Sequence, residues 1–442
     1  MRKQYKETNL KSKNSIILMP DWNNDEYEKN ISLIENTNEN QLKKTPLHEW
    51  HIASRANMAD FGGYHMPLWY ETGVKTEHLA VLESAGIFDT SHMACITCKG
   101  KDAFDLIQFC FTRDIKSLKI GKCVYGAFLD QRGYSIDDAI IYKFSDEIFM
   151  ICVNSGMGGT ISKHLIDNKK DRSVEIDDFT GRIAKMDIQG KSSARILSKV
   201  LKNPDKIFNT MPYFSFKNVE LLNGTNVLLS RSGYTGEFGF EIFVTPYEIV
   251  NLWKNILIAG DEYNLIACGL GARDSLRAGA VLPLSHQDIG NSEFINHPWD
   301  FALPYNKEKT TFTKDFFGKE TLTDKVNKYI YPFVGDNLKK VGTSKKAFVY
   351  NEYQKKIGII LTCATDIAIG WHNNEIFSIA SPDLPEHIEL KGLSCGFVMV
   401  NVKLENGTRL ELNEGKRTIK VTIVADIRPD RTARKAINIF YK

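Results

Sequence analysis

Apolar residues recur at helical spacing in "TEHLAVLESAG" and at strand spacing in the runs that follow it. Thr76 stands as that helix's cap and Gly86 just past its end. An earlier helix opens at "TPLHEW", with Thr45 as cap and Pro46 in the first helical position. "ACITCKG", "VYGAFLD", "SIDDAIIYKF" and "IFMICVNS" read as strands. Gly133 closes a short turn between the second and third, which makes them a hairpin. "TPYEIVNLWKNILIAG" carries a capping box of Thr245 and Glu248, Pro246 at the first position and Gly260 at the end. After about residue 323 the helical signal fades, and from Val341 onward short apolar runs between polar turns predict an all-β domain. Mixed strands and helices followed by strands alone imply α+β, then β. No repeat of fixed period is present.

One run breaks the pattern. "YSIDDAIIYKF" reads as a strand, yet it holds Asp137 and Asp138 side by side. Alternation puts Ile136, Asp138, Ile140 and Tyr142 on one face. Ser135, Asp137, Ala139, Ile141 and Lys143 take the other. The first face reads as buried and the second, being mixed, as the one that meets water. A buried carboxylate is costly unless paired, so Asp138 is either paired or functional.

Composition narrows the classes. The chain has 442 residues, with 57 basic and 54 acidic side chains and a net charge of +3. Neither nucleic acid nor an anionic membrane is indicated by that balance. No apolar run approaches the ~20 residues a membrane span needs. The eight scattered cysteines fit reduced thiols and a cytoplasmic protein, or one of the mitochondrial matrix in a eukaryote. Residues 1–44 lack a signal-peptide core, and their acids argue against a transit peptide, so they read as a partly ordered extension. Cys95 and Cys98 form a lone C-x-x-C. On a strand the two would face opposite sides, which argues against a shared metal.

Three further segments carry candidate chemistry. "VNSGMGGTISKHL" passes from strand through a Gly-rich loop into a helix, but lacks both the dinucleotide and the P-loop spacing. A plain tight turn is the simpler reading. "SRSGYTGEFGFEIFV" is punctured by Gly233, Gly236 and Gly239, which imply tight turns or close approach. Its strand sets Glu241 beside Phe243. Glu241 is a second buried carboxylate if that face points inward, and solvated if the strand is an edge. In "CGLGARDSLRAGAVLP" a helix places Arg273 and Arg277 on one face. They serve either a bound carboxylate or an internal Arg–Asp bridge. His48, His51, His65, His78 and His92 lack zinc spacing, and no nucleophile elbow is present. Acids on strands beside aromatics suit a flat, nitrogen-rich heterocycle such as a pterin or purine.

"TPLHEWHIASRANMADFGGYHMPLWY", "GVKTEHLAVLESAGIFDTSHM", "IDDAIIY", "RSGYTGEFGFEIFV", "GLGARDSLR" and "FGKETL" occur in that order. Together they resemble the T-protein family of the glycine cleavage system, the tetrahydrofolate-dependent aminomethyltransferases. The resemblance covers roughly residues 45–322 and, more loosely, the rest. It implies an α+β, three-domain cloverleaf: two interleaved α+β domains and a C-terminal jelly-roll-like β domain around a central folate cavity. The expected boundaries are 45–92 with 184–284, 93–183 with 285–322, and 323–442.

The implied reaction moves the methylene of an aminomethyl group, carried on the lipoyl arm of H-protein, to tetrahydrofolate as co-substrate. No metal takes part. By the resemblance Asp138 is the catalytic acid and Asp137 its solvent-side neighbour. Glu241 and Tyr234 hold the pterin, Arg273 contacts substrate or folate, and Tyr125, Asn154 and Tyr213 line the cavity. Arg417 matches a C-terminal arginine near the folate. Four features depart from the family. Arg277 is followed by Ala278, Gly279 and Ala280 where Leu-Glu-Ala is usual, "GNSEFINHPWDFALPYNKEKTTFTKDF" is longer than its counterpart, "IASPDLPEHIELKGLSC" replaces the usual segment of the last domain, and the N-terminal extension is extra. All are expected to leave the folate pocket intact and to bear on carrier docking and the one-carbon donor. The competing readings are a folate-dependent methyltransferase or demethylase on the same fold, and a folate-binding scaffold without turnover.

Overall fold

The computed structural model describes Met19 and residues 42–323, 325–344 and 346–441; the expectation for residues 1–44 lies almost wholly outside them. Two antiparallel-rich sheets and a barrel organise the chain. The five-stranded sheet runs in the order Lys122–Leu129, Ser135–Lys143, Ile148–Val153, Ala94–Lys99, Glu175–Asp178. The six-stranded sheet runs Phe216–Glu220, Asn226–Ser230, Gly239–Val244, Ala184–Gln189, Gly86–Asp89, Ile266–Ala267. Gly86–Asp89 joins the second sheet before any strand of the first has appeared, so the two units interleave in sequence.

Each sheet is covered on its outer face by helices. Ile96, Ile141, Ile151 and Val153 of the five-stranded sheet pack against Leu106, Ile107, Ile161 and Leu165. Phe240, Ile242 and Met186 of the six-stranded sheet pack against Leu252, Trp253 and Ile256 of helix Ile249–Gly260. The inner faces meet each other: Tyr142, Met150 and Cys152 pack against Phe216, Leu228 and Phe243. Every large side chain closed into this seam contributes about 1.5–3 kcal/mol relative to exposure. Cys95 lies in the seam and Cys98 under the helices, so the C-x-x-C pair faces opposite sides.

Helix starts differ from the sequence reading. Helix His48–Ala53 has no side-chain cap, because Thr45 Oγ1 donates to Asp89 Oδ2 at 2.7 Å instead. The next helix begins at Gly73 rather than after Thr76, and Gly86 opens a strand. The capping-box segment forms a turn, with the Glu248 N–H on the Thr245 carbonyl, and its helix starts at Ile249. Lys122–Leu129 and Ser135–Lys143 do form the hairpin, with Gly133 at φ +73° in its turn. The C-terminal β domain is a closed barrel of Tyr329–Gly335, Leu393–Val400, Lys356–Asp366, Phe348–Tyr350, Arg409–Asn413 and Thr418–Ile423. The segment around Phe294, Trp299 and Phe316 fills the space between the hairpin (Ala127, Leu129) and the barrel (Leu361, Phe397).

Candidate active site

A cavity of about 1510 Å³ opens where the two sheets and the segment after the barrel converge. Asp138 lies on its wall, opposite Ala127 in the hairpin register. The strand alternation grouped the side chains correctly, but the two faces are exchanged in one respect. Asp137 does not meet water: it is fully buried, with Asn154 on both its carboxylate oxygens and His286 beside it, while Ala139 and Ile141 on the same face pack under helices. Asp138, on the inner face, is the half-buried one that borders the cavity.

A ring of neutral donors fixes the pair. The Tyr125 hydroxyl donates to Asp138 Oδ2 at 2.7 Å. Asn154 Nδ2 donates to Asp138 Oδ1 at 2.7 Å and to Asp137 Oδ1 at 2.8 Å. The Asn154 backbone N–H donates to Asp137 Oδ2 at 2.9 Å, and the Asp138 N–H donates to Ser285 Oγ at 3.2 Å. Burial, then the adjacent Asp137 charge, pushes the Asp138 carboxyl up to about 7. Burial likewise raises Asp137, against the Asn154 hydrogen bonds.

Glu241 sits deeper on the facing sheet, 4% exposed. Its strand is central rather than an edge, so the inward alternative holds. Lys185 Nζ lies 2.6 Å from Glu241 Oε1 and 2.7 Å from Asp187 Oδ1. Arg273 Nη1 lies 2.6 Å from Asp187 Oδ2. Two cations and two anions therefore balance, which offsets the cost of burying each. Burial pushes Asp187 up, but Lys185 and Arg273 more than offset this and hold it below its ordinary value. Arg273 thus forms an internal bridge, to Asp187 rather than to Asp274, while its guanidinium also stacks 4.9 Å from the Tyr234 ring centroid at the cavity wall. The Tyr234 hydroxyl donates to the Pro283 carbonyl. Tyr213 lines the cavity with the Arg434 guanidinium 5.9 Å from its ring.

Arg417 is not at the site. It is exposed in the turn between Arg409–Asn413 and Thr418–Ile423, where its carbonyl accepts from Glu414. The C-terminal arginines on the wall are Arg431 and Arg434. At Gly236, φ +79°, an added Cβ would fall 2.7 Å from Arg431 Cδ, so this glycine makes the close approach possible. Gly158 similarly leaves room for the Asp178 carboxylate at the helix start.

The longer divergent segment also reaches the cavity: Pro298 and Phe301 line it, beside Ala280 and Val281. Val281 has φ +57° and Phe214, also on the wall, φ +55°. A β-branched residue in the left-handed region carries strain of about 1–3 kcal/mol. The Trp299 indole N–H holds the Val281 carbonyl at 2.9 Å.

Sequence reasoning missed Lys185, Asp187, Ser285 and His286. Lys185 and Asp187 had a readable signal: in "AKMDIQ" they alternate onto one face of a strand between apolar residues. Ser285 and His286 lie in a π-helical turn that no period announces.

Residues 47–299 match the family described as the GCVT N-terminal domain. An aminomethyltransferase of Alkaliphilus oremlandii is 31% identical over 398 residues, spanning 89% of this chain and 100% of the relative. The chain belongs to the aminomethyltransferase family. It is therefore a transferase enzyme. An aminomethyltransferase of a Thermoanaerobacter species is 34% identical over 323 residues, 73% of this chain and 85% of its own. The glycine cleavage aminomethyltransferase T of Bartonella henselae shares the fold, with a TM-score of 0.73 at 24% identity over 90% of this chain and 99% of that one.

Proposed function

We propose that this family member transfers the methylene of an aminomethyl group, presented on the lipoyl arm of H-protein, to tetrahydrofolate, with release of ammonia. The observation that carries the reading is the placement of Asp138: a cavity-facing carboxylate gripped by Tyr125 and Asn154, with Glu241 deeper in the same cavity. Glu241 accepts from Ser232 Oγ at 2.5 Å and suits the amino and ring N–H groups of a pterin. Tyr234 and Tyr213 flank such a ring. Arg431 and Arg434 offer charge to the glutamyl carboxylates.

In balance, the carbon–nitrogen bond to ammonia and the carbon–sulfur bond break, and bonds from the carbon to folate N5 and N10 form. The two protons leaving N5 and N10 end on ammonia and on the thiol. Asp138 orients the nitrogens and stabilises the developing iminium charge. No cluster of metal-ligating residues occurs among the described residues, and the reaction as written needs none. We assign the domains as 45–92 with 184–284, 93–183 with 285–322, and 323–442. All eight cysteines are free, in keeping with a reducing compartment such as the cytoplasm, and no described helix is long and apolar enough to cross a membrane.

The test is turnover of aminomethylated lipoyl H-protein with and without tetrahydrofolate, read as ammonia and methylenetetrahydrofolate, beside a folate binding titration. Folate binding without turnover would leave a scaffold. Turnover of a small methyl donor alone would favour the methyltransferase reading, to which Pro298 and Phe301 of the divergent segment, on the cavity wall, lend weight.

A further inference from the structure

Asp137 and Asp138 share one amide nitrogen, Asn154 Nδ2, at 2.8 and 2.7 Å. Two carboxylates so close and so little solvated resist simultaneous ionisation. The side chains that hold them are all neutral: Tyr125 and Asn154 donate to the carboxylates, and Ser285 Oγ accepts from the Asp138 N–H. The charges facing them from helix Leu270–Gly279 and the turn after it are already matched: Arg277 with Asp288, and Arg273 with Asp187. Tyr234 faces them as a neutral phenol with its proton on Pro283. Among the described residues, one group able to carry positive charge lies in ion-pair reach of either acid. His286 Nε2 is 3.6 Å from Asp137 Oδ1, and its side chain is 60% exposed. The turn that carries it is pinned to the strand through the Asp138 N–H on Ser285 Oγ.

We propose that His286 is a positioning residue that sets the protonation state of the aspartate pair. Positive charge on the side chain beside Asp137 balances that carboxylate and favours the ionised form of Asp138. Without such a charge the pair holds its proton to higher pH, which silences Asp138 over that range. The inference rests on the reading of Asp138 as the acid beside the reacting nitrogens.

Two measurements test it. The first is the pH profile of kcat/KM for tetrahydrofolate with aminomethylated H-protein, in wild type, His286→Gln and His286→Lys. Loss of the cation moves the acid limb upward by about 1 pH unit, and a permanent cation moves it back or below the wild-type position. The second is an NMR titration of carboxyl-labelled aspartate in the ligand-free protein, with the Asp138 signal assigned by its absence in Asp138→Asn. The same shifts in midpoint are expected there. That arm needs no turnover, so it stands if the proposed reaction fails. Identical midpoints in all three proteins overturn the inference, whatever the variants do to the plateau rate.

Discussion

Asp138→Asn should give an enzyme that is nearly inactive and slightly more stable. The asparagine keeps the side chain's shape and removes its charge. A carboxyl whose midpoint moves from 3.8 to about 7 costs the folded state about 4 kcal/mol once ionised. Against that gain, the amide cannot accept from both Tyr125 and Asn154 as the carboxylate does, which forfeits about 1 kcal/mol or more. The net is about 1–3 kcal/mol in favour of the variant. With an unfolding entropy of about 2 cal/mol/K per residue, a chain of this length gains roughly 1–3 °C in Tm. The sign depends on pH. The wild-type cost is absent below about pH 4, where folded and unfolded chains both hold the proton. It grows as pH rises towards 7 and is complete above that. The Tm gap should therefore open between pH 4 and 8. Turnover should fall on the order of 10²–10³-fold through loss of charge stabilisation. Calorimetry across pH and a tetrahydrofolate turnover assay read the two effects. A variant within threefold of wild-type turnover, or one less stable than wild type at pH 8, refutes the reasoning.

Other expectations follow from the same geometry. Burial pushes Asp366 up, but Arg428 and His78 more than offset it and hold it far below its ordinary value. Its contribution is present above about pH 4 and lost on acidification below that, so Asp366→Asn should flatten the acid limb of stability and cost about 3–5 kcal/mol at pH 7. Gly279→Glu should destabilise strongly by driving a second carboxylate into Asp366, and Asp366→Asn in the same chain should recover part of the loss, as thermal unfolding will tell. Arg431→Ala and Arg434→Ala should weaken tetrahydrofolate binding but not that of a tetrahydropterin lacking the glutamate, whereas Arg417→Ala should change neither in a titration. Phe301→Ala removes a ring 5.8 Å from Tyr125 on the cavity wall and should weaken folate binding by about threefold to tenfold.

The hairpin was legible because alternation and turn residues are local signals; the interleaved order was implied by the resemblance, and the strand pattern left Glu241 open between core and solvent. Which face of Ser135–Lys143 met water was not. That depended on parts that lie elsewhere in the chain: helices Ala103–Cys110 and Gly158–Lys169 pack over Ala139 and Ile141, and Asn154 with the turn at His286 closes over Asp137. Helix starts slipped by a few residues where a would-be cap had a better partner, as Thr45 does in Asp89. Arg417 was chosen from the family's order of motifs, yet the hairpin turn carries it away from the cavity. The departure at Gly279 has a physical explanation that only three dimensions supply. Where a glutamate is usual, the glycine makes room for Asp366 from the barrel, which reaches Arg428 at 2.6 Å.

Asp366 and Arg428 have a bearing on how the protein is made. His78 from near the start of the described fold, Glu237 from its middle, Asp366 from the barrel and Arg428 from beyond it all meet in one buried knot. Arg431 and Arg434, which complete the cavity wall, follow that knot in the chain. During synthesis both interleaved sheets can assemble while the cavity still lacks a side. The catalytic chamber is sealed only when the segment after the barrel leaves the ribosome and docks, so a chain arrested just short of it would be largely folded and unable to work.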